Sequence, residues 1–340
     1  MIRPEDNQYA QTPVALVRYV LLAYEKRGRD PAAALRTAHI RPEQLHDARQ
    51  HVEASQFERL CSVAMQELDD EALGWFSRRL PWGSYGMLAR ASISAPVLGQ
   101  ALARWCRHHN LLTDDVQWEV QRGSTHAQIR IVERHDLGEL REFALLSLLR
   151  NLHGFASWLV DSRITLHCTR FPFAAPAHAD LYARLFPGPV HFGAPVAMLQ
   201  FDHAYLQLPL RRDGAALDQM LQRALPILIW PYRRDRLLSL RVRRLLAEPR
   251  SNHTADTLAE VLCMSPRTLY RELRHEGTSL QKIKDSVRSE RAQELLARTS
   301  LTIKQISGEA GFASEKSFIR AFARWTGQTP QAWREQRRTG

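Results

Sequence analysis

Two stretches of sequence decide the fold of the last third of the chain: TADTLAEVL (254–262) followed by SPRTLYRELRHEG (265–277), and IKQISGEAGF (303–312) followed by SEKSFIRAFARW (314–325). Each predicts a helix, a tight turn, and a second helix with one apolar stripe and one basic face. This order is typical of a helix-turn-helix motif, whose second helix enters the major groove of DNA. We therefore expect an all-α C-terminal domain that carries two such motifs.

In the first motif, the second helix is predicted to begin at Ser265, a good N-cap residue that is followed by a proline at the first helical position. Leu269 and Leu273 are four residues apart and should face inward. The residues predicted to contact DNA are Arg267, Thr268, Tyr270, Arg271 and Arg274. Arginine suits this place because its planar fork can bond guanine O6 and N7 together. A solvated basic face without a DNA contact is the alternative interpretation of one such helix.

The second motif repeats this pattern. Gly311 fits a turn that needs positive φ, and the spacing of Phe318 and Phe322, continued by Trp325, predicts the inward stripe. The residues predicted to contact DNA here are Ser314, Glu315, Lys316, Ile319 and Arg320. Gly308 lies inside the predicted first helix, where glycine weakens a helix by ~1 kcal/mol relative to alanine. We therefore expect the second motif to be the looser of the two.

The segment between the motifs, 281–297, predicts a long helix whose inner side carries Ile283, Val287 and Leu295. Seventeen helical residues span ~26 Å, and one turn of DNA is ~34 Å. A rigid helix of this length can hold two DNA-contacting helices on successive major grooves. The sequence therefore favours one bipartite DNA-binding domain over two unrelated motifs.

Charge is distributed unevenly along the chain. Residues 236–340 hold 20 Lys and Arg against 11 Asp and Glu, a net charge of +9 out of the total of +11. A basic domain joined to a nearly neutral one suggests a polyanion partner, and solubility alone is the other explanation. The four cysteines are widely spaced, the N-terminus has no secretory signal, and no apolar run is long enough to span a bilayer. We therefore expect a cytoplasmic protein without a membrane partner.

The first two thirds of the chain predict an α+β domain, mainly helical with a small antiparallel or mixed sheet. A β-hairpin is indicated by alternation around Val116–Val120 and Ala127–Ile131, and short strands are expected near 164–168, 197–201 and 205–208. Helices are predicted near 14–27, 31–38, 54–68, 71–80, 96–109, 139–160, 177–186 and 214–229. Pro231 disfavours helix at Trp230, so we place the domains at 1–230 and 231–340.

The most unusual segment of this domain is Pro81-Trp82-Gly83-Ser84-Tyr85-Gly86. Two glycines beside Trp82 and Tyr85 could form an aromatic wall over a ligand cavity, or an ordinary packed turn. The further candidates for the wall are Arg90, Trp118 and Arg141. The nearby group Cys106, His108, His109, Asp114 and Asp115 invites a metal site, but adjacent histidines on a helix diverge by ~100°. We therefore predict no metal, no cofactor and no catalytic residue, since the familiar enzyme motifs are absent.

Residues 254–334 resemble the DNA-binding domain of the AraC/XylS family of bacterial transcription regulators. The resemblance rests on SPRTLYRELRHEGTS, VRSERAQELL, Gly311-Phe312, SFIRAFARWTGQTP and the closing AWR (332–334). Residues 14–229 are similar to the effector-binding domain of one branch of that family, through segments 75–115, 171–195 and 197–210. The resemblance implies a regulator, in the family's usual mode an activator, that binds operator DNA and a small-molecule effector. It also implies a homodimer that contacts RNA polymerase.

Two other interpretations remain at the level of sequence. In one, the N-terminal domain is an enzyme fused to a DNA-binding tail, and it would turn over its ligand rather than bind it stoichiometrically. In the other, the chain is an architectural DNA-binding protein with no effector, and no metabolite would raise its melting temperature.

Overall fold

The computed structural model describes residues 11–47, 50–123, 125–222, 237–248, 253–276 and 278–338. The chain divides into two compact units between Arg236 and Leu237. The domain boundary predicted at 230/231 lies outside the described residues, as does the end of the helix predicted over 214–229.

The first unit is an α+β fold, as predicted. Its helices are α1 (Val14–Lys26), α2 (Ala32–Thr37), α3 (Ala54–Glu67), α4 (Ser84–Ile93), α5 (Leu98–His109), α6 (Arg141–Val160), α7 (Ala179–Leu185) and α8 (Gly214–Leu221). Its strands are β1 (Gln11–Pro13), β2 (His51–Glu53), β3 (Val116–Arg122), β4 (His126–Glu133), β5 (Leu166–Arg170), β6 (Val190–His191) and β7 (Ala197–Asp202). Short strands β1 and β2 pair with each other, and the other five form one sheet.

The larger sheet has the strand order β3-β4-β7-β5-β6 and is mixed, because β5 and β6 are parallel while the other pairs are antiparallel. The predicted hairpin is confirmed: Trp118 lies opposite Ile131 and Val120 opposite Ile129. Alternate residues of β4 are buried, as expected for a strand with one covered face.

Helix α6 is the centre of the hydrophobic core. Sixteen of its 20 residues are buried, which confirms the expectation from its nearly continuous apolar sequence. It ends at Asp161, which has φ 50°. The segment Gly138–Val160 is long and apolar enough to cross a membrane, but 89% of its most apolar window is buried inside the unit, as in the core helix of a globular domain.

The prediction of a helix over 71–80 is wrong. The acidic run that precedes it, Asp69, Asp70 and Glu71, accepts backbone N–H groups from the residues that follow, and so holds a loop instead. Asp70 accepts from Ala72, Gly74 and Leu80, Asp69 accepts from Trp82, and Glu71 accepts from Gly83 and Tyr85. Short acidic side chains compete in this way with helical hydrogen bonding. The helix that the sequence did not predict, α4, begins directly after this loop.

The strand predicted at 205–208 is also wrong. Residues His203–Gln207 form a 3₁₀ helix, which begins where the Asp202 carboxylate accepts the backbone N–H of Ala204 at 2.8 Å. Tyr205 is fully buried within it. The buried residues of this short helix, Tyr205 and Leu206, are adjacent in sequence, so no alternating strand pattern is present.

The second unit is all-α, as predicted. Its helices are α9 (Leu238–Ala247), α10 (Ala255–Val261), α11 (Pro266–His275), α12 (Leu280–Arg298), α13 (Ile303–Glu309), α14 (Glu315–Thr326) and α15 (Pro330–Arg338). Helices α10 and α11 form the first helix-turn-helix motif, and α13 and α14 form the second. Helix α12 joins the two motifs and contacts α9, α13 and α15.

Candidate nucleic-acid interface and ligand cavity

The first helix-turn-helix motif has the local structure that its capping residues predict. The Ser265 hydroxyl accepts the backbone N–H of Thr268 at 3.2 Å, and Pro266 occupies the first position of α11. The turn passes through Cys263, whose φ of 54° is in the left-handed region. Leu269 and Leu273 have no exposed surface. The apolar stripe of α11 is therefore fixed inward, which leaves its basic face in solvent.

The exposed face of α11 holds most of the residues that the sequence singled out. Arg267, Tyr270, Arg271 and Arg274 line one shallow surface depression, and Tyr270 is 50% exposed. Arg271 donates through Nε and Nη2 to the same carboxylate oxygen of Glu272, at 3.0 and 2.9 Å. Because both residues are exposed, DNA can displace this ion pair at small cost.

Thr268 lies beside this face but is only half-exposed. Its hydroxyl is 2.9 Å from the hydroxyl of Ser265. The Thr268 side chain therefore lies at the N-terminus of α11. A phosphate group that contacted Thr268 would lie at this end of the helix.

The second motif is built in the same way. The Ser314 hydroxyl accepts the backbone N–H of Ser317 at 3.2 Å, so this side chain caps α14. Gly311 has the predicted positive φ, 77°. Phe318 and Phe322 are fully buried, as expected, and Phe312 packs against Phe318 with ring centroids 5.5 Å apart. An aromatic core thus fixes the orientation of α14.

The outer face of α14 departs from the prediction at one residue. Glu315, Lys316 and Arg320 are exposed, as expected. Ile319, which was expected to face outward, is half-buried and packs against the core of the second motif. Ile319 lies between the buried Phe318 and the exposed Arg320, so its side chain is at the edge of the apolar stripe. Only the exposed part of this side chain is available for a contact with DNA.

Helix α12 carries both motifs. Leu280 and Ile283 in its first half belong to the core of the first motif, and Ala292 and Leu296 in its second half belong to the core of the second. Val287 and Leu295, also predicted to face inward, pack against these two cores. Nineteen helical residues span ~28 Å. Each motif is thus attached along about half of one continuous helix.

Polar contacts that the sequence did not reveal fasten the second motif to α12. The guanidinium of Arg288 lies 5.2 Å from the centre of the Phe312 ring, and Arg291 pairs with Glu309 at 3.0 Å. Lys284, Arg288 and Arg291 also line a cleft of about 470 Å³ between the two motifs. Burial and the neighbouring Arg288 lower the pKa of Lys284. Lys284, Arg288 and Arg291 are spaced by four and three residues, which places them on one side of α12. This spacing is the sequence signal from which the contacts could have been predicted.

In the first unit, the aromatic segment predicted to wall a ligand cavity does line a cleft. Trp82, Tyr85 and Arg90 border an outer cleft of about 300 Å³, together with Leu221 and Gln222 at the end of α8. Trp82 is 51% exposed, and Arg90 pairs with Asp218 of α8 at 3.0 Å. The outer cleft is therefore open to solvent on the side of Trp82.

A second, inner chamber lies behind Tyr85. It has a volume of about 50 Å³ and shares Glu71, Tyr85 and Asn151 with the outer cleft. Trp118, another predicted wall residue, lines this inner chamber and is only 4% exposed. The structure thus brings together four of the five predicted ligand residues around two adjacent spaces.

The fifth predicted residue, Arg141, has a different role. Its Nε and Nη2 atoms donate to the two carboxylate oxygens of Glu133 at 2.6 and 2.8 Å, and Nη1 lies 3.3 Å from the carbonyl oxygen of Pro172. Arg141 is thereby engaged in joining the start of α6 to the end of β4, and it does not line the outer cleft or the inner chamber.

Burial shifts the pKa values of the titratable groups in the inner chamber, among them Glu71 and His109. It raises the pKa of Glu71, although the backbone N–H groups of Tyr85 and Gly83 oppose part of the rise. It lowers the pKa of His109 to about 4, so this imidazole is neutral at pH 7. Within the described residues, no group of three or more His, Cys, Asp or Glu side chains is arranged to hold a metal ion.

Comparison with known proteins gives matches over both units. Residues 28–210 match the arabinose-binding domain found at the N-terminus of AraC transcription regulators, and residues 258–336 match a helix-turn-helix domain family. The ornithine utilization regulator of Pseudomonas aeruginosa is 30% identical over 337 residues, which cover 98% of this chain and 99% of that protein. The transcriptional regulator VirS of Mycobacterium tuberculosis is 25% identical, covering 90% of this chain and 91% of its own. The regulator VqsM of Pseudomonas aeruginosa is 41% identical over 78 residues, 23% of this chain and 24% of its own.

Proposed function

The chain belongs to the AraC family of transcription regulators, and from this membership we propose that its second unit reads two successive major grooves of one DNA duplex. The protein is a DNA-binding transcription regulator with an N-terminal domain of the arabinose-binding type. In the proposal, α11 enters one groove and α14 the next. Helix α12 sets the distance between them.

One observation carries this proposal: both motifs are packed along the same helix, and each leaves a basic helix face in solvent. Helix α12 is ~28 Å long, which is comparable with one turn of DNA, ~34 Å. In α11, Arg267, Arg271 and Arg274 supply the positive charge that attracts phosphates and the forks that can recognise guanine. In α14, Lys316 and Arg320 do the same. Glu315 can accept a hydrogen bond from cytosine N4.

The residues at the helix N-termini complete the proposed interface. Ser314 and Thr268 lie in the first turn of α14 and α11, where backbone N–H groups and the helix dipole favour an anion. We assign them to phosphate contacts, along with Tyr270. Ile319 is half-buried, and we assign it at most an apolar contact at the edge of the groove.

We further propose that the first unit binds a small-molecule effector in the outer cleft and the inner chamber. Trp82, Tyr85, Arg90 and Trp118 would contact it, and the binding would shift the population of molecules that bind DNA. Family membership also leads us to propose an activator that acts as a homodimer in the cytoplasm and contacts RNA polymerase. One relative is named for regulating ornithine utilization, so ornithine is the first effector to test.

The DNA part of the proposal is tested by selecting bound fragments from genomic DNA with the purified full-length protein, followed by footprinting. The expected footprint contains two protected half-sites whose centres lie about 10 base pairs apart on one face of the duplex. Binding to all fragments with equal affinity would contradict sequence-specific recognition. A single protected half-site would contradict the bipartite proposal.

A further inference from the structure

The inner chamber is lined by residues that carry four buried polar atoms with no hydrogen-bond partner among the described residues. These atoms are Nε1 of Trp75, the hydroxyl of Tyr85, Nδ1 of His109 and Nε1 of Trp118. Folded proteins pair most of their buried polar groups, and each one left unpaired costs ~1–3 kcal/mol. Four such atoms around one small space therefore indicate a chamber shaped for a polar occupant.

The types of these atoms restrict what the occupant can be. An indole N–H only donates a hydrogen bond, so Trp75 and Trp118 need an acceptor such as a carboxylate or carbonyl oxygen. The Tyr85 hydroxyl and the neutral His109 ring can each donate or accept. The occupant should therefore bring at least one acceptor oxygen.

The charge of the lining restricts it further. Glu71 lines both the inner chamber and the outer cleft, and none of the described residues that line the inner chamber is a lysine or an arginine. A purely anionic occupant would meet the Glu71 carboxylate, and the arginine that lines the outer cleft, Arg90, is paired with Asp218. An occupant with an ammonium group would pair with Glu71, and aromatic rings nearby favour a cation as well. Trp105, which also lines the chamber, packs against Tyr85 with ring centroids 5.3 Å apart.

The sizes of the inner chamber and the outer cleft also restrict what the occupant can be. The inner chamber, about 50 Å³, has room for a small polar group, and the outer cleft, about 300 Å³, adjoins it, since Glu71, Tyr85 and Asn151 line both. Water can satisfy the indole N–H groups, but water does not neutralise a partly buried carboxylate. A molecule with both charges at one end and a chain that extends outward fits both spaces.

We propose that the effector is a small amino acid, whose ammonium group pairs with Glu71 and whose carboxylate accepts from the indole N–H groups of Trp75 and Trp118. This inference rests on the proposed effector site and gives its chemical class. The side chain of the amino acid extends into the outer cleft under Trp82. There it reaches Leu221, at the end of the last described helix before the DNA-binding unit begins in the sequence.

The position of α8 gives this site a route to regulation. The side chain of Leu221 lies against Gly86 of α4, where a Cβ atom would be 3.5 Å from Leu221 Cδ1. Arg90 and Asp218 form a second link between α4 and α8. A ligand in the outer cleft therefore touches both helices and can change how α8 packs on α4.

The test is calorimetric titration of the full-length protein with the standard L-amino acids and L-ornithine as probes. Each amino acid that binds is then compared with its deaminated acid and its decarboxylated amine. We expect at least one amino acid to bind at one site per chain and both truncated compounds to bind at least tenfold more weakly, since each has lost a charge-assisted contact. If no amino acid binds, or if a deaminated acid binds as tightly as its parent, the inference is wrong.

Variants of the residues that line the inner chamber test whether the amino acid binds there. Glu71→Gln should weaken the amino acid about tenfold or more, whereas the deaminated acid, no longer repelled by a carboxylate, should bind at least as tightly as it does to the wild type. Trp118→Phe and Trp75→Phe keep an aromatic ring but remove the N–H donor together with part of the ring volume, and each should weaken binding about three- to tenfold. If Glu71→Gln does not fold, the affinity of Trp118→Phe for the amino acid still tests the proposed site.

Asp69→Asn is the matched control, because Asp69 holds the same loop through the N–H of Trp82 but does not line either space. It should keep the wild-type affinity. An equal loss in Asp69→Asn and Glu71→Gln would assign Glu71 to loop structure and contradict the inference. None of these results depends on DNA, so a failure here leaves the two-groove proposal standing, and a failed footprint leaves this one standing.

Discussion

At the scale of single residues, we propose that base recognition by the second motif depends most on Arg320, an exposed arginine of α14. We predict that Arg320→Ala weakens binding to the selected operator by ~1–3 kcal/mol and relaxes the sequence preference at one or two base pairs of one half-site. The measurement is a binding titration against the operator, single-base variants of it and random duplex.

The comparison variant is Arg274→Ala in the first motif. It should weaken binding to operator and random duplex alike and reduce the salt dependence of binding by about one ion, as expected for a phosphate contact. Arg107→Ala, an exposed arginine of the first unit, should change neither. If Arg320→Ala kept the wild-type preference at each base pair, the assignment of Arg320 would be wrong.

His153 makes the stability of the first unit depend on pH. It is buried in α6, Nε2 lies 2.8 Å from the carbonyl oxygen of Ile164, and Nδ1 lies 3.3 Å from Arg150. Burial and the neighbouring Arg150 lower its pKa from 6.5 to about 3. The unfolded chain therefore binds a proton more readily, and the stability contributed by this group is lost as the pH falls from about 6.5 toward 3.

The corresponding prediction concerns His153→Asn, whose amide can still donate to Ile164. Between pH 6 and pH 5 the free energy of unfolding should fall less steeply in the variant, by up to ~1.4 kcal/mol per pH unit. Urea titration followed by tryptophan fluorescence measures both slopes. Equal slopes for wild type and variant would show that His153 takes up its proton in the folded state as readily as in the unfolded state.

At the scale of elements, the sequence predicted those whose periodicity is long and whose caps are local. Helix α6 was predictable because it is apolar over 20 residues, and α11 and α14 because Ser265 and Ser314 mark their first turns. The helix wrongly predicted over 71–80 has suitable apolar spacing, but three carboxylates bind backbone N–H groups up to 14 residues away. Hydrogen bonds of that range leave no periodic signal.

The ligand cavity was predictable only in part, for the same reason. Trp82 and Tyr85 were found because glycines beside aromatic residues are unusual in sequence. Glu71, Trp75 and His109 reach the inner chamber only through tertiary packing, so no local pattern marks them. Arg141 lies away from both spaces because it pairs with Glu133, on a strand that precedes it in the chain, and no local pattern in the sequence reveals that partner.

Gly308 in helix α13 allows a test of the expectation that the second motif is the looser of the two. A Cβ atom at Gly308 would meet nothing within 4 Å, and Gly308 is exposed inside the helix. Gly308→Ala should therefore stabilise the second motif by up to ~1 kcal/mol, because alanine has the higher helix propensity. Slower amide hydrogen exchange across 303–326 in the full-length protein is the expected readout.

The matched variant is Gly311→Ala, three residues along. Gly311 has φ 77°, which alanine adopts only with strain, so this change should destabilise the motif and speed exchange. A faster exchange in Gly308→Ala than in the wild type would contradict the description of α13 as a regular helix at that position.

At the scale of the whole molecule, a single chain combines a domain of the arabinose-binding type with two helix-turn-helix motifs that are packed along one helix, α12. A continuous helix between the two motifs has a consequence that a flexible tether between them would not have. In the proposed binding mode, helix α12 fixes both the distance and the rotation between α11 and α14, so only one spacing of half-sites should allow both helices to bind at once.

The measurement that tests this most directly is the affinity of the full-length protein for operators in which the spacing between the two half-sites is changed. We predict that inserting 5 base pairs lowers affinity to that for a single half-site, and that inserting about 10 base pairs, one full turn, does not restore it because α12 cannot lengthen. Recovery of the original affinity at the full-turn insertion would contradict the central claim, since it would require two reading helices that move independently.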